Sequence, residues 1–160
     1  MTSHEATAEP IQDLETMTAQ EILGWALDRY HPRIAFASSF GLEDVVVIDM
    51  LMRIRPDVRI FTLDTGRLHE ETYEVMERIR ARYGCAIETY FPDRHAVERL
   101  EQEKGFFSFR QSVASRKECC AIRKVEPLRR ALAGLDAWIT GLRRDQAITR
   151  GTTHKLESDE

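Results

Sequence analysis

The chain has 160 residues, 42% of them hydrophobic and 31% charged, with a net charge of −4 at pH 7. That is the size and balance of one water-facing globular domain. No apolar run approaches the roughly 20 residues of a membrane span, and "MTSHEATAEPIQDLE" lacks the basic and apolar regions of a secretory signal, so no membrane role is expected.

Residues 1–17 read as a flexible lead-in, 18–150 as one domain and 151–160 as a polar tail. Thr18-Ala19-Gln20-Glu21 has the form of a capping box, and Ile22, Leu23, Trp25, Ala26 and Tyr30 follow at near-helical spacing until His31-Pro32 stops them. "RIAFAS" predicts a buried strand, "SSFG" a turn, and "LEDVVVIDMLMRI" a helix closed by Pro56. "VRIFTLDTG" predicts a second strand and turn. "LHEETYEVMERIRARYG" is an amphipathic helix with Glu70 and Glu71 in its first turn and Gly84 at its end. "CAIETYF" predicts a third strand, "RHAVERLEQEKG" a helix, and "FFSFRQSVASRKE" an irregular segment. "CAIRKVEPLRRALAG" predicts a helix with a proline inside or at a break, and "DAWITG" a fourth strand.

Strands alternating with helices imply βαβ units: a three-layer α/β fold, mostly parallel sheet with helices on both faces. In such sheets ligands sit beyond the carboxyl ends of the strands, which gathers "SSFGLED", "DTGRLH" and "TGLRRDQ" on one rim. Ser38, Ser39 and Gly41 permit close backbone approach at the start of a helix, whose free N–H groups suit an anion. Glu43 and Asp44 oppose a polyphosphate there. Asp64 and Thr65 can cap a helix or hold a hydroxyl-bearing ligand. Arg143 and Arg144 offer planar forks for phosphate or sulfate oxygens. From Arg110 to Arg150 there are ten Arg and Lys against four Asp and Glu, in a chain acidic overall. This surplus suits an anionic ligand better than a nucleic-acid surface.

Cys119 and Cys120 stand side by side between Arg116-Lys117 and Arg123-Lys124. A four-iron cluster takes four thiolates and zinc usually takes spaced pairs, so this pair alone completes neither. Nearby cations stabilise thiolates and a net-negative cluster. Cys85 lies in a predicted strand and reads as an inert core thiol. Three cysteines with no sign of export imply a reducing, cytoplasmic setting.

"SSFGLEDVVVIDM", "FTLDTGRLHEETYE", "EKGFFSF", "KECCAIRKVEPLRRAL" and "WITGLRRDQAITR" together resemble the sulfonucleotide reductases, from about Ile34 to Arg150. The nearest branch is the assimilatory adenylyl-sulfate (APS) reductases that carry an iron–sulfur cluster. The resemblance implies an adenine-nucleotide alpha-hydrolase-like fold. It also implies reduction of the sulfate of APS to sulfite, with release of AMP and with thioredoxin as the donor. PAPS, which carries a 3′-phosphate, is the alternative substrate.

By the same resemblance, Cys119 and Cys120 are two ligands of a 4Fe-4S cluster and Lys124 sits between cluster and sulfate. Ser39 and the turn through Gly41 face the phosphosulfate. Leu63, Asp64 and Thr65 line the adenosine pocket, and Arg143 and Arg144 complete the anion site. The family's second C-x-x-C pair and the nucleophilic cysteine of an E-C-G-L-H-like tail do not occur in these 160 residues. The expectation is therefore a fragment, frameshift product or degenerate copy that is inactive alone and contains no catalytic cysteine. A nucleotide-binding remnant without turnover, a homo-oligomer sharing the cysteine pairs and an ATP pyrophosphatase of related fold are the competing readings.

Overall fold

In the computed structural model, residues 14–143 and 152–158 are described. The elements run α1 (Ala19–Tyr30), β1 (Ile34–Ala37), α2 (Leu42–Ile54), β2 (Arg59–Leu63), α3 (Glu70–Tyr83), β3 (Ile87–Tyr90), α4 (Arg94–Lys104), α5 (Val113–Cys120), α6 (Glu126–Leu132) and β4 (Ala137–Thr140). Short 3-10 turns occupy Leu14–Thr16 and Ser108–Arg110, and a π-turn, Ala121–Val125, joins α5 to α6.

The capping box forms as the sequence predicts. Thr18 Oγ1 accepts from the Glu21 N–H, and Glu21 Oε2 accepts from the Thr18 N–H at 2.7 Å. Both bonds satisfy donors that a helix start otherwise leaves open. The Thr18 N–H, joined by the Thr18 hydroxyl at 2.8 Å, holds the Glu21 carboxyl below its ordinary range.

The four strands are all parallel, in the order β3-β2-β1-β4. Alternation along β1 and β2 divides the core in two. Ile34, Phe36 and Ile60 face one side, where they pack with Leu23 and Leu27 of α1, Ile48 and Leu51 of α2, and Met76 and Ile79 of α3. Ala35 and Phe61 face the other side, against Ala131, Leu128 and Leu132 of α6. The helices therefore cover both faces, and the α/β expectation holds.

Chain direction explains where a ligand belongs. From β1 the chain moves outward through α2 to β2 and through α3 to β3. It then returns by α4, α5 and α6 to place β4 on the far side of β1. The reversal point of a doubly wound sheet lies between β1 and β4, and that crevice is where such sheets bind ligands.

One predicted element needs correction. Residues 106–118 are expected to be irregular, yet Val113–Cys120 is helical. Ser112 supplies the start signal, its hydroxyl accepting from the Ser115 N–H at 3.0 Å. The helix then runs through the π-turn directly into α6. Pro127, within the first turn of α6, cannot donate to the carbonyl four residues back, and the ladder widens just ahead of it.

Across β2 and β3, the Arg59 guanidinium donates twice to the Glu88 carboxylate, both bonds 2.8 Å. Arg59 holds the Glu88 carboxyl below its ordinary value of 4.5. A carboxyl lowered by folding stabilises the fold above its unfolded value and loses that contribution as pH falls through the lowered one. Glu88→Gln should therefore flatten the acid limb of stability. Between about pH 6 and pH 3 the wild type should lose more urea resistance than the variant, read from denaturation midpoints.

Candidate functional site

The Ser38–Gly41 turn leaves β1 at the reversal point. Phe40 adopts φ 59° and buries its ring in the core, which throws Ser39 and Gly41 outward. Left-handed backbone is uncommon for a bulky residue and marks a turn that its surroundings hold in place. The holder is Asp44, in the first turn of α2 and only 6% exposed. Its Oδ2 accepts from the Ser39 N–H at 2.5 Å, the Ser39 hydroxyl at 2.8 Å and the Ser38 hydroxyl at 3.5 Å. The sequence leads one to expect free N–H groups aimed at an anion here. The Ser39 N–H and hydroxyl, which lie ahead of that helix start, bond to an internal carboxylate.

The loop after β4 closes on the same carboxylate. A Cβ built on Gly141 would stand 2.0 Å from Asp44 Oδ1 and 3.4 Å from its Cα. Glycine is needed because two backbones approach across the crevice. Two residues on, Arg143 Nη2 lies 2.8 Å from Glu43 Oε1. The consecutive acids Glu43 and Asp44 thus engage the β4 and β1 loops respectively. Arg144 lies outside the described residues.

The loop after β2 is braced from within. Asp64 is buried, and its two oxygens accept from the Gly66 N–H at 2.8 Å and the Tyr73 hydroxyl at 2.7 Å. The Asp64 carboxylate pushes the Tyr73 phenol above its ordinary range. Leu63 packs beside Phe61 on the α6 face, and Thr65 is half-buried. The Thr65 carbonyl accepts from Arg123 Nη1 at 2.7 Å, while Arg123 Nη2 meets Glu101 Oε1 at 2.5 Å. Arg67 shares Glu101 at 3.3 Å and donates to the Phe106 carbonyl. His69 stands exposed at the start of α3 and makes no capping bond.

Arg123 is the functional link that sequence reasoning missed. It is buried in the π-turn and fastens the cysteine-bearing segment to the β2 loop. The signal available was a basic residue next to a proline-broken helix, which is too common to read alone.

Cys119 is half-buried and Cys120 exposed, at the end of α5, with Lys124 exposed one turn later. Lys104 donates to both Glu118 oxygens at 2.7 Å and pins α4 to α5 beside them. Cys85 precedes β3 and so lies at the amino end of the sheet, opposite the rim that Arg123 touches. No group of three or more His, Cys, Asp or Glu placed to hold a metal occurs among the described residues. Cys119 and Cys120 thus stand as a pair, and Cys85 does not extend it.

Two outcomes follow from this geometry. Gly141→Ala should cost about 1–3 kcal/mol of stability in urea denaturation, because the Asp44 carboxylate or the β4 loop must shift. Under limiting iodoacetamide near neutral pH, peptide mass spectrometry should find Cys120 alkylated first and Cys85 last. Burial pushes the Cys85 thiol up, and only thiolate reacts.

Residues 33–160 match the phosphoadenosine phosphosulfate reductase domain. The chain is 42% identical over 153 residues to the adenosine 5'-phosphosulfate reductase of Burkholderia cepacia, covering 96% of this chain and 59% of that one. It is 45% identical over 147 residues to the enzyme of the same name from Pseudomonas aeruginosa (strain LESB58), covering 91% and 54%. It therefore spans little more than half the length of these relatives. The phosphoadenylyl-sulfate (PAPS) reductase of Candida auris, solved as a phosphate complex, superposes with a TM-score of 0.71 at 26% identity, over 89% of this chain and 71% of that one. The chain belongs to the phosphoadenosine phosphosulfate reductase domain family.

Proposed function

We propose that this chain is the nucleotide- and anion-binding part of an adenylyl-sulfate reductase of sulfate assimilation, working in the cytoplasm on the route to cysteine. The observation that carries the reading is convergence. The β1 turn with Ser39 and Gly41, the β4 loop with Arg143, and the β2 loop tied by Arg123 to the cysteine segment share one rim at the reversal point of the sheet. Reductases named for adenosine 5'-phosphosulfate, at more than 40% identity, favour APS over PAPS as the substrate.

In this reading Leu63 and Thr65 border the adenosine, while Asp64 shapes their loop from beneath rather than touching the ligand. Arg143, Arg144 and Lys124 meet the phosphosulfate oxygens, and Ser39 and Gly41 let them come close to the backbone. A thiolate attacks the sulfate sulfur, the sulfur–oxygen bond to phosphate breaks, and AMP leaves with the electron pair. A second thiol then attacks the resulting S-sulfonate and frees sulfite, leaving a disulfide. Two thiols lose two electrons and the sulfate gains two, with thioredoxin as the donor. The contribution of this chain is to hold the leaving phosphate and offset its charge.

Cys119 and Cys120 are assigned as two ligands of a 4Fe-4S cluster rather than as the nucleophile. Bound there, the cluster would supply a compact, redox-capable centre beside the cations of the segment. Two further thiolates would have to come from outside these 160 residues.

Binding without turnover is the second reading, favoured by the lack of any third thiol near the cysteine pair among the described residues. Calorimetry and a labelled-substrate assay separate the two readings. AMP should bind with a Kd on the order of micromolar, about −8 kcal/mol. Labelled APS with thioredoxin should yield little sulfite from these 160 residues alone. No heat at millimolar AMP would reject nucleotide binding, and brisk sulfite release would reject the need for further thiols.

A further inference from the structure

We infer that Arg123 is a positioning residue for the sulfate end of the ligand. It fixes the spacing between the loop that borders the nucleoside and the Lys124 amine, and so favours a ligand that carries both a nucleoside and a sulfate. The inference rests on the binding reading given above and adds to it the residue that sets the distance between its two halves.

Arg123 is the middle residue of the π-turn, Ala121–Val125. Its side chain is only 6% exposed. Nη1 donates to the Thr65 carbonyl at 2.7 Å, and Nη2 meets Glu101 Oε1 at 2.5 Å. A Cβ built on Gly66 would stand 3.4 Å from Nη1, so the guanidinium lies close against the backbone of the β2 loop. A planar fork holds both targets at once, which the point charge of a lysine does not. Charge-assisted bonds are short and strong, and burial protects them from screening. Glu101 also meets Arg67 at 3.3 Å, so α4, the β2 loop and the π-turn are joined at one carboxylate.

Lys124 is the next residue and is exposed. Neighbouring positions on a helix point about 100° apart. A backbone clamped at Arg123 therefore fixes the root of Lys124 while leaving its amine on another side of the helix. In the binding reading Thr65 borders the adenosine and Lys124 lies at the sulfate. One guanidinium thus ties the backbone at one end of the ligand to the backbone at the other. A ligand with both ends meets two contacts already spaced for it, and ordering them costs little at the moment of binding. A nucleotide without the sulfate makes only the first contact and gains nothing from the tie. A tie that served stability alone would shift the affinity for both nucleotides equally.

The test measures Kd by calorimetry for AMP and for APS without reductant, in wild type, Arg123→Lys, Lys124→Ala and the double variant. The wild-type AMP-to-APS ratio of Kd values should be about tenfold or more, the scale of one charge-assisted contact. Lys124→Ala should lower that ratio about tenfold. Arg123→Lys should lower it by a similar factor, and the double variant should lose no more than either single change, because both remove the same contact. Losses that multiply in the double variant, or a ratio that Arg123→Lys leaves unmoved, overturn the positioning role and leave nucleotide binding intact. A ratio unmoved by Lys124→Ala, or a wild type that binds AMP and APS alike, does the same. If Arg123→Lys does not fold, Glu101→Gln, which weakens the Nη2 bond, takes its place: the ratio should fall, and an unmoved ratio overturns the inference. Wild type that binds neither nucleotide removes the binding reading and this inference together.

Discussion

A single buried carboxylate organises this molecule. Asp44 ties the β1 turn to the first turn of α2, and its other face leaves no room for a side chain at Gly141. A buried charge is costly unless hydrogen bonds surround it. The serine N–H and hydroxyls provide those bonds, and in doing so they fix the one stretch of backbone where two parallel strands part. The left-handed Phe40 is held between this polar anchor and the apolar core that takes its ring. Shape at the crevice is thus set by protein groups alone, before any ligand arrives.

The topology makes that anchor useful. Because the strand order reverses between β1 and β4, the crossover helices diverge there and leave a cleft. The first two crossovers occupy one face of the sheet, and α6, the last helix of the long return, packs on the other. This return brings the adjacent cysteines and their cations back to the carboxyl rim, where Arg123 fastens them to the Thr65 carbonyl. Segments distant in sequence are joined by charge-assisted bonds, which are stronger than neutral ones when shielded from water. The Glu101 carboxylate, shared by Arg123 and Arg67, adds α4 to the same assembly.

Much of this was legible in the residues. Thr18 and Glu21 announce α1, the runs around Phe36 and Phe61 announce buried strands, and Gly84, at φ 62°, closes α3 as its position implies. Local chemistry dictates each of these, so local reading finds it. The stretch from Phe106 to Glu118 was not legible, since its helical part has no apolar stripe and buries no residue. Its helicity comes from the Ser112 cap and from continuity with α6. The site divides the same way. Residue types at the rim could be named, but not which acid holds which base. The Glu43–Arg143 pair spans a hundred positions, and Asp44 turns inward while its neighbour turns outward. Such pairings depend on the loops having already met.

The π-turn ahead of Pro127 has a geometric consequence for the cysteine segment. A regular helix advances 100° per residue, and a π-turn accommodates about one residue more than the regular winding holds. Winding these same residues, Ala121 to Val125 included, as a regular helix would rotate everything upstream by about 100° relative to α6. The two thiols would then point along a different azimuth from the rim. The phase of this helix, as much as the identity of its side chains, determines what the sulfur atoms face.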